Sequence, residues 1–234
     1  QQERASAASG VASAAGGNGS PVIPPFGTPS SDVRAWWETL TDEERKRLIA
    51  EDPVRIGNLN GVPLEDRAAA NQITAESRID EIGRRLDEMG SEPPQPNLLG
   101  ALSPIILNQQ LEARERWLNE RKELLAERSY LEAVTDGKRT LVVYDPHSDR
   151  IVEMIGTPGP NTTKVITYLP GTDADMNGFS TGSTQQVATY LAQSDRSGGT
   201  VAFVYKDGPW SKWPWESPAQ ANTNMDFALS EGRQ

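Results

Sequence analysis

The spacing of apolar residues changes at Thr135-Asp136-Gly137, and that change constrains the fold more than any other feature. Before it, apolar residues recur at helical spacing. Leu64, Ala68, Ile73, Ile79, Ile82, Leu86 and Met89 mark a helix over about 64–89. Pro104 opens a second one, reaching about Val134 through Ile105, Leu111, Trp117, Leu118, Leu124, Leu125 and Leu131. Each helix covers its stripe only by meeting another element, so the two are expected to form a hairpin across the proline-rich break at 91–96. After the change come β-branched runs. The stretches 141–144, 151–155, 164–169 and 200–205 predict four strands, with His147 to Arg150 as the turn between the first two. Helices are expected over 183–193 and 217–230, the latter with Pro218 in its first turn. The fold class is α/β, an N-terminal helical region followed by elements in the order β-β-β-α-β-α.

Residues 1–30 are rich in Ala, Gly, Ser and Pro and poor in apolar anchors, as in a disordered linker or the remnant of a preceding helical module. Ser31 is placed to cap a short helix carrying Val33, Trp36, Trp37 and Leu40. Thr41 and Glu44 have the spacing of a capping box for a helix over 42–50, and Asp52-Pro53 ends it. Asn60-Gly61 reads as a turn, since both residues tolerate positive φ. The chain thus divides into a linker (1–30), a helical cap region with its hairpin (31–135) and an α/β core portion (136–234).

Composition excludes several classes of function. With 23 basic against 33 acidic residues in 234, the net charge of −10 leaves no basic stripe to displace phosphate counterions, so nucleic acid is not an expected partner. No apolar run approaches the ~20 residues of a transmembrane helix, and no signal-peptide pattern is visible. The absence of cysteine removes disulfides, thiolate nucleophiles and zinc–thiolate sites. No metal site and no cofactor are expected.

Two segments carry a resemblance. Trp36-Trp37-Glu38-Thr39-Leu40-Thr41 is followed by Pro53-Val54-Arg55-Ile56-Gly57-Asn58-Leu59-Asn60-Gly61-Val62-Pro63 and Leu64-Glu65-Asp66-Arg67-Ala68-Ala69-Ala70-Asn71. This resembles the signature of an actinobacterial α/β-hydrolase family of unknown function, with its double-Trp helix, Ile-Gly-Asn-Leu-x-Gly-x-Pro turn and Arg-x-x-x-Asn helix. The resemblance implies the first half of an α/β-hydrolase sheet, in which the turn after the third strand supplies an oxyanion-hole amide. Leu169-Pro170-Gly171-Thr172 occupies that place, and Gly171 and Thr172 are the implied oxyanion residues; the alternative is a loop glycine after a strand. The resemblance further implies a serine-type hydrolase acting on an ester, lipid or amide, with the catalytic serine and histidine beyond Gln234. The expected partner is a second polypeptide, or a C-terminal half, that completes the sheet at its open edge. A non-catalytic interaction module, or one subunit of a split or cleaved two-chain assembly, is the competing reading. Location is open between the cytoplasm and a specialised actinobacterial secretion route.

Other chemistry-bearing residues have ordinary readings beside the functional ones. Gly178-Phe179-Ser180-Thr181-Gly182 matches the nucleophile-elbow pattern, but that motif needs a strand leading straight into the turn, and residues 171–178 intervene. Ser180 is therefore a weak nucleophile candidate. His147, the sole histidine, falls in a surface turn. Asp173 and Asp175, with Asn177 and Gly178, match the first half of a calcium loop, but Thr184 stands where the closing glutamate is needed. Trp210, Trp213 and Trp215 follow the fourth strand, where they would contact a substrate, a lid or a partner, or else pack onto the hairpin. Trp36 and Trp37 read as core.

Overall fold

The computed structural model describes residues 21–97, 103–170, 176–195 and 198–207. Among the described residues five helices come first: α1 (Ser30–Thr39), α2 (Asp42–Glu51), α3 (Pro53–Gly57), α4 (Leu64–Met89) and α5 (Pro104–Thr135). They are followed by β1 (Thr140–Asp145), a 3-10 turn (Pro146–Ser148), β2 (Arg150–Ile155), β3 (Lys164–Tyr168), α6 (Met176–Ser180), α7 (Gln186–Ser194) and β4 (Thr200–Asp207). The molecule is thus mixed α/β. The helix expected over 217–230 lies outside the described residues.

Local chemistry sets the helix boundaries. The capping box forms: Glu44 N–H donates to Thr41 Oγ1 at 3.2 Å, and Thr41 N–H to Glu44 Oε2 at 2.8 Å. Ser31 does not cap α1. The helix starts one residue earlier behind Pro29, and Ser31 Oγ donates to Asp32 inside the first turn. Asp52-Pro53 ends α2 and also starts α3, because the Asp52 carboxylate accepts the Arg55 amide and Pro53 needs no intrahelical donor bond. A core of Val33, Trp37, Leu40, Leu48, Ile56, Leu59, Val62 and Ala70 holds these short helices together. Trp37 is buried, with Nε1 donating to Asp66 Oδ2 at 2.9 Å; Trp36 is only partly buried, its ring centroid 5.6 Å away.

The long helices pair as a hairpin. Arg78 clamps Glu127 with two bonds, at 2.8 and 3.0 Å, and Arg85 reaches Glu120 at 2.7 Å. Trp117 Nε1 closes the far end on the Met89 carbonyl at 3.1 Å. The inner ends of both helices share a core with the sheet, in which Ala75, Ile82, Leu131 and Val134 meet Leu141, Tyr144, Ile151 and Val204.

The sheet has strand order β1-β2-β4-β3. β2 runs antiparallel to both β1 and β4, whereas β3 and β4 are parallel and joined through α6 and α7. A register shift between Leu141 and Val143 turns Val142 and Val143 toward the same small cluster, which explains the unbroken burial of β1. The continuous apolar run 200–205 suits a strand buried between helices. Val201, Ala202 and Val204 are buried, but Phe203 and Tyr205 are only partly so. Leu64 of α4 packs against the same cluster as these two side chains.

β1 forms one edge of the sheet, and side-chain amides cover it. Asn58 Oδ1 accepts the Tyr144 amide at 3.1 Å, while its Nδ2 donates to the Tyr144 carbonyl at 2.9 Å. Asn71 Nδ2 donates to the Leu141 carbonyl at 3.1 Å. The two asparagines satisfy backbone groups that a further strand would otherwise use, which blocks edge-to-edge pairing on that side.

Candidate functional site

In open α/β sheets, ligands bind outside the carboxyl ends of parallel strands. Here that edge is formed by the ends of β3 and β4, with the β1–β2 turn beside them. β3 leads into Leu169-Pro170, with Leu169 exposed and Pro170 buried. Gly171, Thr172, Asp173 and Asp175 lie outside the described residues, as do Trp210, Trp213 and Trp215. Ser180 ends α6, and its Oγ donates to the Met176 carbonyl at 2.9 Å, a bond internal to the short helix. Ser183 Oγ donates to the Gly178 carbonyl. His147 sits exposed in the 3-10 turn, its amide held by Asp145 Oδ1 at 3.1 Å. The structure brings Ser180 and His147 into no mutual hydrogen bond among the described residues: β4 lies between β3, the strand that precedes the serine, and the β1–β2 hairpin whose turn holds the histidine.

Two buried charged groups were not singled out from the sequence. At the carboxyl end of β4, Lys206 is completely buried, and its Nζ bonds the Asp149 carbonyl at 2.9 Å and pairs with the Asp149 carboxylate. Asp149 adopts a left-handed φ of 56°, which brings its carboxylate and its carbonyl to the same cation. The second group is Glu153, at the middle of β2 and nearly inaccessible. It accepts from Arg139 Nη1 at 2.8 and 3.1 Å, from the Tyr130 hydroxyl at 2.8 Å and from Gln185 Nε2 at 2.9 Å. Gln185 Nε2 also reaches the Phe179 carbonyl at 3.2 Å, and the Arg139 guanidinium lies 4.9 Å over the Tyr130 ring. Burial, reinforced by the Glu153 charge, pushes the Tyr130 hydroxyl well above its ordinary pKa and holds it as a donor. The partners of Glu153 come from separate segments, so this cluster fastens the end of α5, β2 and the α6–α7 turn to one another. Its sequence signal was slight: a lone glutamate inside the apolar run of β2.

Two clefts among the described residues lie elsewhere. One of about 190 Å³ is lined by Glu65, Gln72, Arg139 and Leu141, and one of about 410 Å³ by Ser30, Arg34, Gly61 and Arg67. Neither borders Leu169-Pro170 or Ser180. Among the described residues no group of three or more His, Asp or Glu side chains is placed to hold a metal ion. No helix among them is long and apolar enough to cross a membrane.

The comparisons with known proteins reach one short stretch. Two proteins of Mycobacterium tuberculosis from different strains, "Uncharacterized protein Rv2079" and "Uncharacterized protein MT2140", are each 61% identical to the chain over 49 residues. The match covers 21% of this chain and 8% of either relative, so the chain is similar to a small part of much longer proteins. No protein-family profile matches the chain, and no solved structure does.

Proposed function

We propose that this chain is the opening portion of a serine-type α/β-hydrolase acting on an ester, lipid or amide, with the catalytic serine and histidine outside it. The parallel β3–β4 pair carries the reading. Its crossover places Leu169-Pro170 at the carboxyl edge of the sheet, directly before Gly171 and Thr172. A hydrolase sheet opens with three strands, a helix and a fourth strand, and the described elements follow that order. The bonding of Ser180 to its own helix is consistent with a nucleophile placed elsewhere. In this reading Gly171 and Thr172 supply oxyanion amides, and the Asn58 and Asn71 contacts hold the helical cap to the sheet.

The test uses a longer natural protein that contains this segment. A fluorophosphonate probe should label a serine outside residues 1–234, and Gly171→Pro should slow ester hydrolysis with little change in KM. Labelling at Ser180, or no labelling and no hydrolysis across ester chain lengths, would refute the proposal. A second reading, a non-catalytic interaction module, is favoured by one observation: Leu111, Leu118 and Leu125 form an exposed row along α5. An inert longer protein that binds another polypeptide through α5 would support it.

A further inference from the structure

The first face of the sheet is filled: Tyr144, Ile151, Ala202 and Val204 share a core with α4 and α5, joined by Phe179 of α6 and Ala188 of α7. The second face is filled only in part. In register, Met154 and Thr167 flank Phe203 of β4, and Val152 lies beside Tyr205, so these side chains share that face. Cover there falls off from β1 toward β3. Val143 and Val152 are buried in the cluster that Leu64 of α4 packs against, whereas Phe203 and Tyr205 are only partly buried. On β3, Val165 is 64% exposed, and Leu169, which continues the row, is 58% exposed. Parallel strands are ordinarily covered on both faces, so the β3–β4 half of the sheet lacks a layer among the described residues.

We infer that the chain's own segment 217–230 is the occupant, packing as a helix across the β3–β4 half of the second face. Position favours it. β4 ends at Asp207 in the middle of the sheet, next to Phe203 and Tyr205, and residues 208–234 follow directly. Handedness favours it too. The β3–β4 connection runs on the first face through α6 and α7, so a right-handed connection leaving β4 toward the open β3 edge runs on the second. The opposite edge is sealed by Asn58 and Asn71. The segment carries a matching stripe: Ala221, Met225, Ala228 and Leu229 fall at i, i+4, i+7 and i+8, with Thr223 and Asp226 on the other side. A helix over 217–230 extends about 21 Å, comparable to the about 26 Å of β4. The rest of the chain offers less. Residues 1–20 hold one large apolar side chain, Val11, and 171–175 hold none. Leu98, Leu99 and Leu102 belong to the α4–α5 connection, at the opposite end of the hairpin from the sheet. The inference is independent of the hydrolase reading.

The chain has no cysteine, so engineered thiols report on this face alone. Maleimide labelling of Val165→Cys in the 234-residue chain should run at least about tenfold slower than labelling of Tyr190→Cys, a position 72% exposed on α7. Met225→Asp combined with Leu229→Asp should restore fast labelling at Val165→Cys, with circular dichroism as the control for folding. Should that double variant unfold, a short bismaleimide decides. It should join Thr167→Cys to Met225→Cys within one chain and leave Tyr190→Cys with Met225→Cys unjoined. Fast labelling of Val165→Cys in the otherwise unaltered chain overturns the inference. So does protection that survives Met225→Asp with Leu229→Asp in a folded chain, or a bismaleimide that fails to link positions 167 and 225. Protection lost on dilution also overturns it, because the occupant would then be a second copy.

Discussion

At the residue scale, the turn motif of the helical region has a packing explanation. Gly57 is required by closeness rather than by backbone angle: a Cβ there would lie 2.1 Å from Asn71 Oδ1. That asparagine bonds both the Gly57 carbonyl, at 3.2 Å, and the β1 edge, so the clash cannot relax without breaking the seal on the strand. Gly61 is needed on both counts, with φ of 105° and the Ser30 carbonyl 2.4 Å from where a Cβ would be. Arg67 completes the lock through the Gly57 carbonyl at 3.2 Å and Asn60 Oδ1 at 3.2 Å. Two helical glycines therefore respond oppositely to the same change. Gly83, with nothing within 4 Å of its Cβ position, gains stability on replacement by alanine, about 0.5–1 kcal/mol from helix propensity alone. Gly57→Ala receives the same propensity gain but loses about 1–3 kcal/mol to overpacking. Urea denaturation of the two variants should shift the midpoint in opposite directions; equal shifts would show that the Asn71 contact is unimportant.

At the scale of elements, the hairpin owes its alignment to ion pairs of unequal depth. Arg78 and Glu127 are 26% and 16% exposed and doubly bonded, and the pairing raises the Arg78 pKa further above its already high value. Arg85 and Glu120 sit in open solvent, where such pairs contribute little. Arg78→Met strands a half-buried carboxylate and should cost about 1.5–3 kcal/mol, whereas Arg85→Met should leave the unfolding midpoint where it is. Comparable losses from both would contradict this ranking. The elements also show what periodicity reveals. The two long helices, the Thr41–Glu44 box and the four strands were legible, because each is written in residues near one another in sequence. α6 was not: five residues containing Gly178 are too short to show a period. The placement of β4 between β2 and β3 was equally hidden, since strand order depends on distant pairings. Lys206 and Glu153 were missed for a related reason. A charge within a strand reads as a solvated position until the partner that buries it, Asp149 or Arg139, is located. Of the expected site, only Leu169-Pro170, Ser180 and His147 fall within the described residues, and their separation became visible only with the strand order.

At the scale of the molecule, the helical region and the sheet are held by more than adjacency. Asn58 and Asn71 reach β1 across 86 and 70 residues of sequence, and one core takes side chains from α4 and α5 together with β1, β2 and β4, including Leu141, Tyr144, Ile151 and Val204. Separating the parts would uncover Leu131, Val134 and Leu141 together and strip the β1 edge of its amide partners. Unfolding one part should therefore unfold the other. Native-state hydrogen exchange measures this directly, because amides that open only with global unfolding share one free energy. The slowest amides of α4 and of β1, β2 and β4 should report a common value. Asn58→Ala removes both side-chain bonds to Tyr144, so the Tyr144 amide should lose protection first, ahead of its neighbours in β2. Distinct opening energies for α4 and the sheet in the unaltered chain would mean that the asparagine contacts are too weak to couple them, and the cap would then be a separately folding unit resting on the sheet.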